Sequence, residues 1–377
     1  MLATDEQSYN FETMSRIALN ARLLIPGKLE GTGRFTHQCY KRLIASRPQD
    51  EFLLIFDRKP PAEFSYGANV KAVCLMPPAR RPWLFDLWFD YAITQKLKSW
   101  KADVFISTDG YISRRSELPQ LNVIHDINFE HNPEWLPKKY ADHFRARFPV
   151  YARKAAKLCT VSEYSKQDIA TQYGVDESSI TVIPNAPDSA FKSIENKAEP
   201  RSTHANGNPY IVFVGSLHPR KNISGIVASY AKYREQGGLN DLLIVGSNMW
   251  RDEEHKSEGV HYAGRLNDGE LVDAIAGADA MLYLPYFEGF GVPLVEAMAS
   301  GVPVVASNVT SIPEVCGDAA YKLVAPDDYE GAAKALLALD SDSVGRGECI
   351  AKGLKRAAEF NWDTSAQILS AAIDEIL

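Results

Sequence analysis

The sequence has little cysteine, no excess of basic residues and no long hydrophobic run. Its five cysteines are scattered through 377 residues without CxxC or Cys/His ligand spacing, so neither a disulfide framework nor a zinc site is indicated. The 41 Lys and Arg residues against 48 Asp and Glu residues give a formal charge of -7, which argues against general nucleic-acid binding. No apolar run is long enough to span a bilayer, and residues 1–12 lack the core of a signal peptide. The cytoplasm is therefore the simplest compartment.

Apolar runs alternate with helical patterns along most of the chain, which predicts βαβ units and mostly parallel sheets. The length exceeds the usual size of one hydrophobic core, so two domains are expected. The predicted strands of the first domain are residues 17–25, 52–56, 70–75, 104–107, 123–125, 158–161 and 180–183. Those of the second are residues 211–215, 242–245, 261–264, 280–284 and 302–306. The fold class is therefore α/β, with two doubly wound, Rossmann-like domains facing a cleft.

The domain boundaries follow from composition. Residues 193–209 are polar and low in hydrophobic side chains, as expected of an interdomain linker. The N-terminal domain would then span residues 1–192 and the C-terminal domain residues 210–361. Residues 362–377 have the pattern of an amphipathic helix.

The segment from Glu288 to Glu296 carries most of the chemical information. A buried strand precedes it, Gly289 and Gly291 let backbone N–H groups approach a ligand, and Pro293 is a good first helical residue. A loop at the carboxyl end of such a strand is where open α/β sheets bind ligands, and the following helix N-terminus favours an anion. Two carboxylates around that anion would accept hydrogen bonds from neutral hydroxyls. One polyol on each side of a phosphate describes a sugar nucleotide.

A second segment, residues 214–222, follows the first strand of the C-terminal domain. Gly215 allows a sharp turn, and Arg220 and Lys221 then stand beside a helix start, where they could neutralise a diphosphate. The alternative is a solvated basic turn. The segment is not a Walker A loop, because it lacks the Gly-Lys-Ser/Thr ending.

These residues resemble a known family. Glu-Gly-Phe-Gly followed by Pro-Leu-Val-Glu-Ala-Met-Ala-Ser-Gly-Val-Pro-Val-Val is similar to the donor-site signature of the family-four retaining glycosyltransferases of GT-B fold. The resemblance covers nearly the whole chain and is dense from residue 215 to 315. The Pro-Arg-Lys-Asn variant is similar to bacterial mannosyltransferases of surface-polysaccharide pathways. Within this family the last helix crosses back onto the first domain.

The resemblance implies a retaining hexosyltransferase that needs neither metal nor cofactor. The donor would be a nucleotide sugar, GDP-mannose first and UDP-glucose second, bound by the C-terminal domain. The acceptor, a glycan or lipid-linked glycan, would bind the N-terminal domain. Two rivals stay open: a nucleotide-sugar 2-epimerase on the same fold, and a catalytically silent subunit that binds nucleotide sugar.

The resemblance also assigns roles in the C-terminal domain. Arg220 and Lys221 would stabilise the leaving diphosphate. Glu296 would bind the ribose hydroxyls, and Glu288 the sugar hydroxyls together with the backbone of Gly289, Phe290 and Gly291. Arg265 would border the nucleotide base.

In the N-terminal domain, His125 ends a predicted strand, and the resemblance implies that it touches the transferred sugar across the cleft. A lone histidine is otherwise more often a structural residue. Gly31 and Gly33 follow the first strand, and the resemblance implies that they lie near the donor phosphates and the acceptor, beside Arg34. They do not complete a GxGxxG fingerprint, because Thr36 stands at the third glycine position. The alternative for them is a tight βα turn.

Three further features are ambiguous. Ser162 and Ser165 match the family but are first interpreted as helix N-caps, with Asp168 completing a capping box to Ser165. Residues 80–93 are rich in aromatic and apolar side chains, which favours burial; the alternative is an acceptor patch or a peripheral contact with the inner face of the membrane. Residues 340–342 spell a DxD triplet after a helical pattern, and we interpret them as a helix end rather than a metal site.

Overall fold

The computed structural model describes residues 14–247 and 258–377. The first domain is built on a parallel sheet that has seven strands within those residues, in the order β3-β2-β1-β4-β5-β6-β7. Its strands are β1 Arg16–Asn20, β2 Glu51–Phe56, β3 Val70–Cys74, β4 Val104–Ser107, β5 Gln120–Val123, β6 Lys157–Thr160 and β7 Ile180–Val182. Each predicted run overlaps one strand, but the predicted bounds of β1 and β5 were clearly wrong: β1 ends at Asn20, and β5 spans Gln120–Val123, so His125 follows the strand.

Six α-helices of the described residues lie between these strands. They are α1 Gly31–Ser46, α2 Pro82–Leu87, α3 Thr94–Trp100, α4 Asn128–His131, α5 Lys138–Lys154 and α6 Glu163–Tyr173. A π-helical turn, Trp88–Ile93, joins α2 to α3. The central strands are buried, as in parallel sheets with both faces covered, which is why they appear in the sequence as continuous apolar runs.

The second domain is built on a parallel sheet with six strands among the described residues, in the order β10-β9-β8-β11-β12-β13. The strands are β8 Tyr210–Val214, β9 Asp241–Val245, β10 Val260–Gly264, β11 Ala280–Tyr283, β12 Val304–Ser307 and β13 Lys322–Val324. Its helices are α8 Ile223–Glu235, α9 Asp268–Ala276, α10 Val292–Ala299, α11 Ile312–Cys316, α12 Tyr329–Ser341 and α13 Ser343–Ala358. The predicted α/β fold with two doubly wound domains is confirmed.

The stretch interpreted as a linker contains a helix that was not predicted, α7 Ala198–Ala205. It is tied to the second domain by Asp279, whose carboxylate lies 2.8 Å from the Arg201 guanidinium and 3.6 Å from the Lys197 ammonium. These contacts come from a residue about eighty positions away, so the local composition did not reveal the helix.

The last helix, α14 Trp362–Asp374, packs against α1 of the first domain. Arg42 of α1 and Arg47, which follows the helix, each lie 2.5 Å from a carboxylate of α14, on Asp363 and Asp374. The Ser365 hydroxyl donates to the carbonyl of Pro184 at 2.7 Å. The chain therefore closes on the domain where it began.

The aromatic segment is divided between core and surface. Phe85, Trp88, Phe89 and Ile93 are buried, as the burial interpretation requires. Three other large hydrophobic side chains of the segment are exposed: Trp83, Leu87 and Tyr91. Among residues 14–247 and 258–377, no helix is both long and apolar enough to cross a membrane.

The DxD triplet lies at the end of α12. Asp340 accepts a hydrogen bond from the Tyr233 hydroxyl at 2.6 Å, and Asp342 caps α13 through the N–H of Gly345 at 2.8 Å. Both carboxylates therefore have structural partners at a helix end, as interpreted from the sequence.

Candidate functional site

A cavity of about 360 Å³ lies between the two domains, at the carboxyl ends of both sheets, and we name it the central cavity. It sits where the order of strands reverses, beside β1 and β4 in one domain and β8 and β11 in the other. Its lining includes every predicted site residue except Gly33: Gly31, His125, Gly215, Arg220, Lys221, Arg265, Glu288, Gly289, Phe290, Gly291 and Glu296. Residues separated by up to 265 positions thus converge on one space.

Glu288 and two cations form a buried cluster on one wall of this cavity. One carboxylate oxygen of Glu288 accepts hydrogen bonds from Arg220 at 2.9 Å, from the Tyr283 hydroxyl at 3.0 Å, and from the Lys221 ammonium. The Lys221 ammonium also donates to the Tyr283 hydroxyl at 2.6 Å. Two cations around one carboxylate leave a net positive charge next to the cavity, which favours an anion there.

The pKa values follow from this cluster. Burial alone would raise the pKa of Glu288, but Arg220 and Lys221 hold it at about 2, so the carboxylate is ionised. Burial lowers the pKa of Lys221 to about 8, although Glu288 opposes that shift. At neutral pH, Lys221 is therefore still mostly charged, and an arriving anion would strengthen its protonation.

The loop Glu288–Gly291, which we name the glycine loop, is held by its carbonyl groups. Ser311 donates to the Glu288 carbonyl at 3.0 Å, and Ser162 donates to the Gly289 carbonyl at 2.7 Å. The N–H groups of Gly289, Phe290 and Gly291 find no acceptor in the described part of the chain. These three donors remain available to a ligand in the cavity.

The helix α10 begins directly after this loop. Gly291 is its N-cap with φ of 93°, a left-handed conformation that favours glycine, and no side chain caps the helix. An uncapped helix N-terminus attracts negative charge. The helix end, the free N–H groups and the Arg220–Lys221 pair together make an anion site.

Glu296 lies inside α10 and is buried against the same cavity. Burial raises its pKa to about 7, although Arg34 of the other domain opposes the shift. Its carboxylate receives no hydrogen bond from any described residue, and it borders the cavity, so it can accept hydrogen bonds from a ligand.

The start of α6 clamps the glycine loop from the first domain. Ser162 caps α6 by accepting from the N–H of Ser165 at 3.1 Å, as predicted, and its hydroxyl reaches across to Gly289. Glu314 of the second domain accepts from the N–H groups of Glu163 and Tyr164, at 2.9 and 3.0 Å. A carboxylate at a helix N-terminus is favourable, so this contact stabilises the closed cleft.

The interpretation of Ser165 was wrong. Ser165 lies inside α6, where its hydroxyl donates to the Gly289 carbonyl at 3.3 Å, and no capping box with Asp168 forms. Asp168 instead lies 2.8 Å from the His131 ring. The family match at this position therefore marks an interdomain contact rather than a second cap.

The two domains are in close contact at Gly289. A methyl group on its Cα would lie 2.6 Å from the carbonyl oxygen of His125 and 2.9 Å from the Cβ of Asp126. Only glycine fits this approach. Asp126 lines the cavity opposite the loop and was not among the predicted site residues.

His125 is a neutral hydrogen-bond donor in this structure. Its Nε2 lies 3.0 Å from the carbonyl oxygen of Thr108, which can only accept, so Nε2 carries the proton. Burial lowers the pKa of the ring, and the ring edge contacts Phe35 at a centroid distance of 4.9 Å. His125 is thus fixed in orientation at the cavity wall.

The predicted phosphate loop of the first domain is a helix start. Gly31 is the first residue of α1 and lines the cavity. Gly33 does not line the cavity, and a methyl group there would lie 2.8 Å from the carbonyl oxygen of Leu23, which gives this glycine a packing role. Its place near the donor phosphates stays a prediction.

Two ion pairs join the domains at the mouth of the cavity. Arg34 lies 2.6 Å from Asp268, and Arg265 lies 3.4 Å from Glu30. Arg265 is therefore placed at the cleft as predicted, while its contact with a nucleotide base stays a prediction.

Gly215 follows β8, and its carbonyl oxygen packs tightly against Gly246, a residue that was not predicted from the sequence. A methyl group at Gly246 would lie 1.8 Å from the Gly215 carbonyl oxygen. Tyr283, the last residue of β11, was missed as well, although it is bonded to both Lys221 and Glu288. A tyrosine in an apolar strand gives no signal of such a role, whereas a glycine after β9 could have been noticed.

Comparisons with known proteins agree with this geometry. The family described as glycosyl transferases group 1 matches residues 195–356, and the one described as glycosyltransferase family 4 matches residues 29–191. The O-antigen chain mannosyltransferase B of Escherichia coli is 27% identical over 376 residues, covering 89% of this chain and 93% of that protein.

Two solved structures share the fold. The sucrose-phosphate synthase of Thermosynechococcus elongatus superposes with a TM-score of 0.77 at 18% identity, covering 96% of this chain and 98% of that chain. Anabaena HepE in complex with UDP-glucose superposes with a TM-score of 0.73 at 16% identity, covering 96% of this chain and 99% of that chain.

Proposed function

We propose, since the chain belongs to the glycosyltransferases of GT-B fold, that it transfers mannose from GDP-mannose to a glycan or lipid-linked acceptor in polysaccharide synthesis. The observation that carries the proposal is an anion site that shares one cavity with two carboxylates. Arg220, Lys221 and the free N–H groups of the glycine loop suit a diphosphate, while Glu288 and Glu296 line the same cavity and can accept hydrogen bonds from hydroxyls. That combination of groups suits a nucleoside diphosphate sugar, with hydroxyls at both ends.

The choice of mannose is supported by a relative that spans most of the chain, an O-antigen chain mannosyltransferase. Glucose from UDP-glucose is the second candidate, because Anabaena HepE, which has the same fold, was solved in complex with UDP-glucose. The contacts that would select the base lie at the cleft mouth near Arg265.

In this proposal the diphosphate replaces Glu288 as the partner of Arg220 and Lys221. Their charges stabilise the leaving group as its bond to the anomeric carbon breaks, without a metal ion. The acceptor oxygen forms the new bond on the same face of the sugar, and its proton passes to a phosphate oxygen of the leaving group. The anomeric configuration is thereby retained.

Thermal unfolding with GDP, UDP, ADP and their sugar conjugates tests the donor site. A ligand that binds the native state raises the melting temperature, and the preferred base should be named by the largest shift. The shift should be lost in Lys221→Ala. Absence of a shift with every nucleotide, in a protein that also transfers no sugar, would contradict the proposal.

A transfer assay tests the reaction class and the metal. Labelled sugar from the stabilising donor should appear in a mannose-containing acceptor, the product anomer should match the donor, and EDTA should leave the rate unchanged. Conversion of the sugar nucleotide without an acceptor would instead support the epimerase. Nucleotide binding with neither reaction would support a silent binding subunit.

A further inference from the structure

A second cavity, of about 670 Å³, lies between the domains, and we name it the side cavity. The turn Pro219–Lys221 stands between it and the central cavity. Trp135 and Asn132 line it from the first domain, and His218 and Tyr286 line it from the second. A ligand there would touch both domains, as a ligand in the central cavity does.

The two cavities share their walls. The turn Pro219–Lys221 separates them: His218 and Pro219 line the side cavity, while Arg220 and Lys221 line the central one. The second shared wall is the segment before the glycine loop, where the N–H of Tyr286 donates to the carbonyl of Arg220 at 2.8 Å. Tyr286 stands only two residues before Glu288, so the cavities are close neighbours.

The side cavity is aromatic and uncharged. The Trp135 ring lies 6.4 Å from the Tyr286 ring and 6.5 Å from the His218 ring, centroid to centroid. Tyr286 is 39% exposed and Trp135 half-buried, so their ring surfaces are reachable from the cavity. Among the described residues that line it there is no Lys, Arg, Asp or Glu.

His218 adds no charge to the side cavity at neutral pH. Burial, together with the neighbouring Arg220 and Lys221, lowers the pKa of His218 to about 4, so the ring is neutral at pH 7. An uncharged wall gives a phosphate or a second nucleotide no counter-charge. It suits a neutral ligand that offers flat C–H surfaces to aromatic rings and hydroxyls to polar groups, which describes a pyranose.

We propose that the side cavity is a subsite for the acceptor glycan, which holds an uncharged saccharide unit away from the hydroxyl that receives the sugar. The inference rests on the proposed transferase function and adds the place and chemistry of acceptor binding. Because both domains supply walls, a bound acceptor favours the closed cleft and braces the turn that carries Arg220 and Lys221.

The test is a Trp135→Ala variant of the whole chain, with α-linked mannotriose as the probe. Saturation-transfer NMR should show the trisaccharide bound to the unsubstituted protein and lost from the variant. In the transfer assay the KM for mannotriose should rise roughly 3- to 10-fold, the effect of one lost aromatic contact. The melting-temperature shift caused by the nucleotide should not change. Trp135→Phe, which keeps a flat ring, should restore most of the affinity.

Trp100→Ala is the matched control. Trp100 is also half-buried, but it precedes β4 and so lies near the amino ends of the strands, on the side of the sheet opposite the cleft. This variant should leave the KM for mannotriose unchanged. If Trp135→Ala does not fold, Tyr286→Ala removes the opposite ring and should give the same result. An unchanged NMR signal and KM in a folded variant that still binds nucleotide would overturn the subsite. Failure of the unsubstituted protein to bind any nucleotide would instead refute the transferase proposal.

Discussion

Replacing Glu288 by glutamine should have opposite effects on nucleotide binding and on turnover. The substitution keeps the shape of the side chain but removes the negative charge that both Arg220 and Lys221 contact, which leaves the buried Lys221 and the partly buried Arg220 with only the charge of Asp126 nearby among the described residues. Breaking a buried ion pair in this way costs about 3 to 5 kcal/mol of folding free energy. Since 1 kcal/mol shifts the melting temperature of a domain of this size by about 2 to 4 °C, the second domain should melt roughly 6 to 20 °C lower.

The loss of stability in Glu288→Gln should depend on pH. The pKa of Lys221 is already lowered to about 8, and without Glu288 it should fall further. The unfolded variant then binds more protons than the folded one, so its stability rises with pH. The deficit against the unsubstituted protein should therefore be smaller at pH 8.5 than at pH 6.5.

A diphosphate restores the missing charge. The increase in melting temperature caused by the nucleoside diphosphate should be larger in Glu288→Gln than in the unsubstituted protein, because the phosphates no longer displace a carboxylate. Sugar transfer should nevertheless be lost, because the contact with the sugar hydroxyls is weakened. Differential scanning fluorimetry with and without nucleotide, followed by the transfer assay, measures both effects.

Glu163→Gln is the control for loss of a carboxylate, since Glu163 is exposed and its carboxylate pairs, among the residues that the structure describes, with Lys166 alone, at 3.4 Å. Such surface pairs are worth about 0 to 1 kcal/mol, so stability and nucleotide response should stay close to normal. If Glu288→Gln were as stable as this control, or if it bound nucleotide more weakly than the unsubstituted protein, the assigned charge balance would be wrong.

Two further predictions concern the cavity walls. The carboxyl of Glu296, with a pKa of about 7, loses its proton between pH 6 and 8, and the carboxylate is the better acceptor for hydroxyls. Calorimetry should therefore show nucleotide affinity rising with pH in that window more steeply in the unsubstituted protein than in Glu296→Gln, and equal slopes would refute a role for its ionisation. Gly289→Ala places a methyl group 2.6 Å from the His125 carbonyl oxygen and should lower transfer on the order of 100-fold without unfolding either domain, since misplacement of about 1 Å has that effect. Gly33→Ala, which meets the Leu23 carbonyl oxygen at 2.8 Å inside the first domain, should lower the melting temperature instead. Loss of stability in Gly289→Ala together with loss of transfer in a stable Gly33→Ala would contradict the roles given to both glycines.

The strands could be predicted because burial on both faces makes each of them a continuous apolar run. The strand β13, Lys322–Val324, was not predicted because it is short and begins with an exposed lysine. The helix α7 was not predicted for a different reason, since its position depends on ion pairs with the distant Asp279. Errors of this kind arise where tertiary contacts, rather than local pattern, determine the structure.

The same distinction applies to the site. Arg220, Lys221 and the glycine loop could be found from local signals, because glycines, charges and helix starts occur at short spacing. The contact from the Ser162 hydroxyl to the Gly289 carbonyl joins residues 127 positions apart, and no spacing rule indicates it. The carboxylate of Glu314 likewise binds the N-terminus of a helix in the other domain, about 150 positions away, and no local pattern indicates that contact.

The family resemblance and the structure give the Glu288 carboxylate different partners. The family resemblance assigns Glu288 to the sugar hydroxyls, whereas the structure places its carboxylate on Arg220 and Lys221. The bonds from Arg220, Lys221 and Tyr283 all fall on one oxygen of the carboxylate, and the two cations draw its charge, so a sugar hydroxyl at the other oxygen is bound more weakly while they stay. The assignments agree if they describe successive states, in which the arriving diphosphate takes over the two cations and frees Glu288 for the sugar. Donor binding would then create the sugar site, and free sugar without the diphosphate should bind poorly.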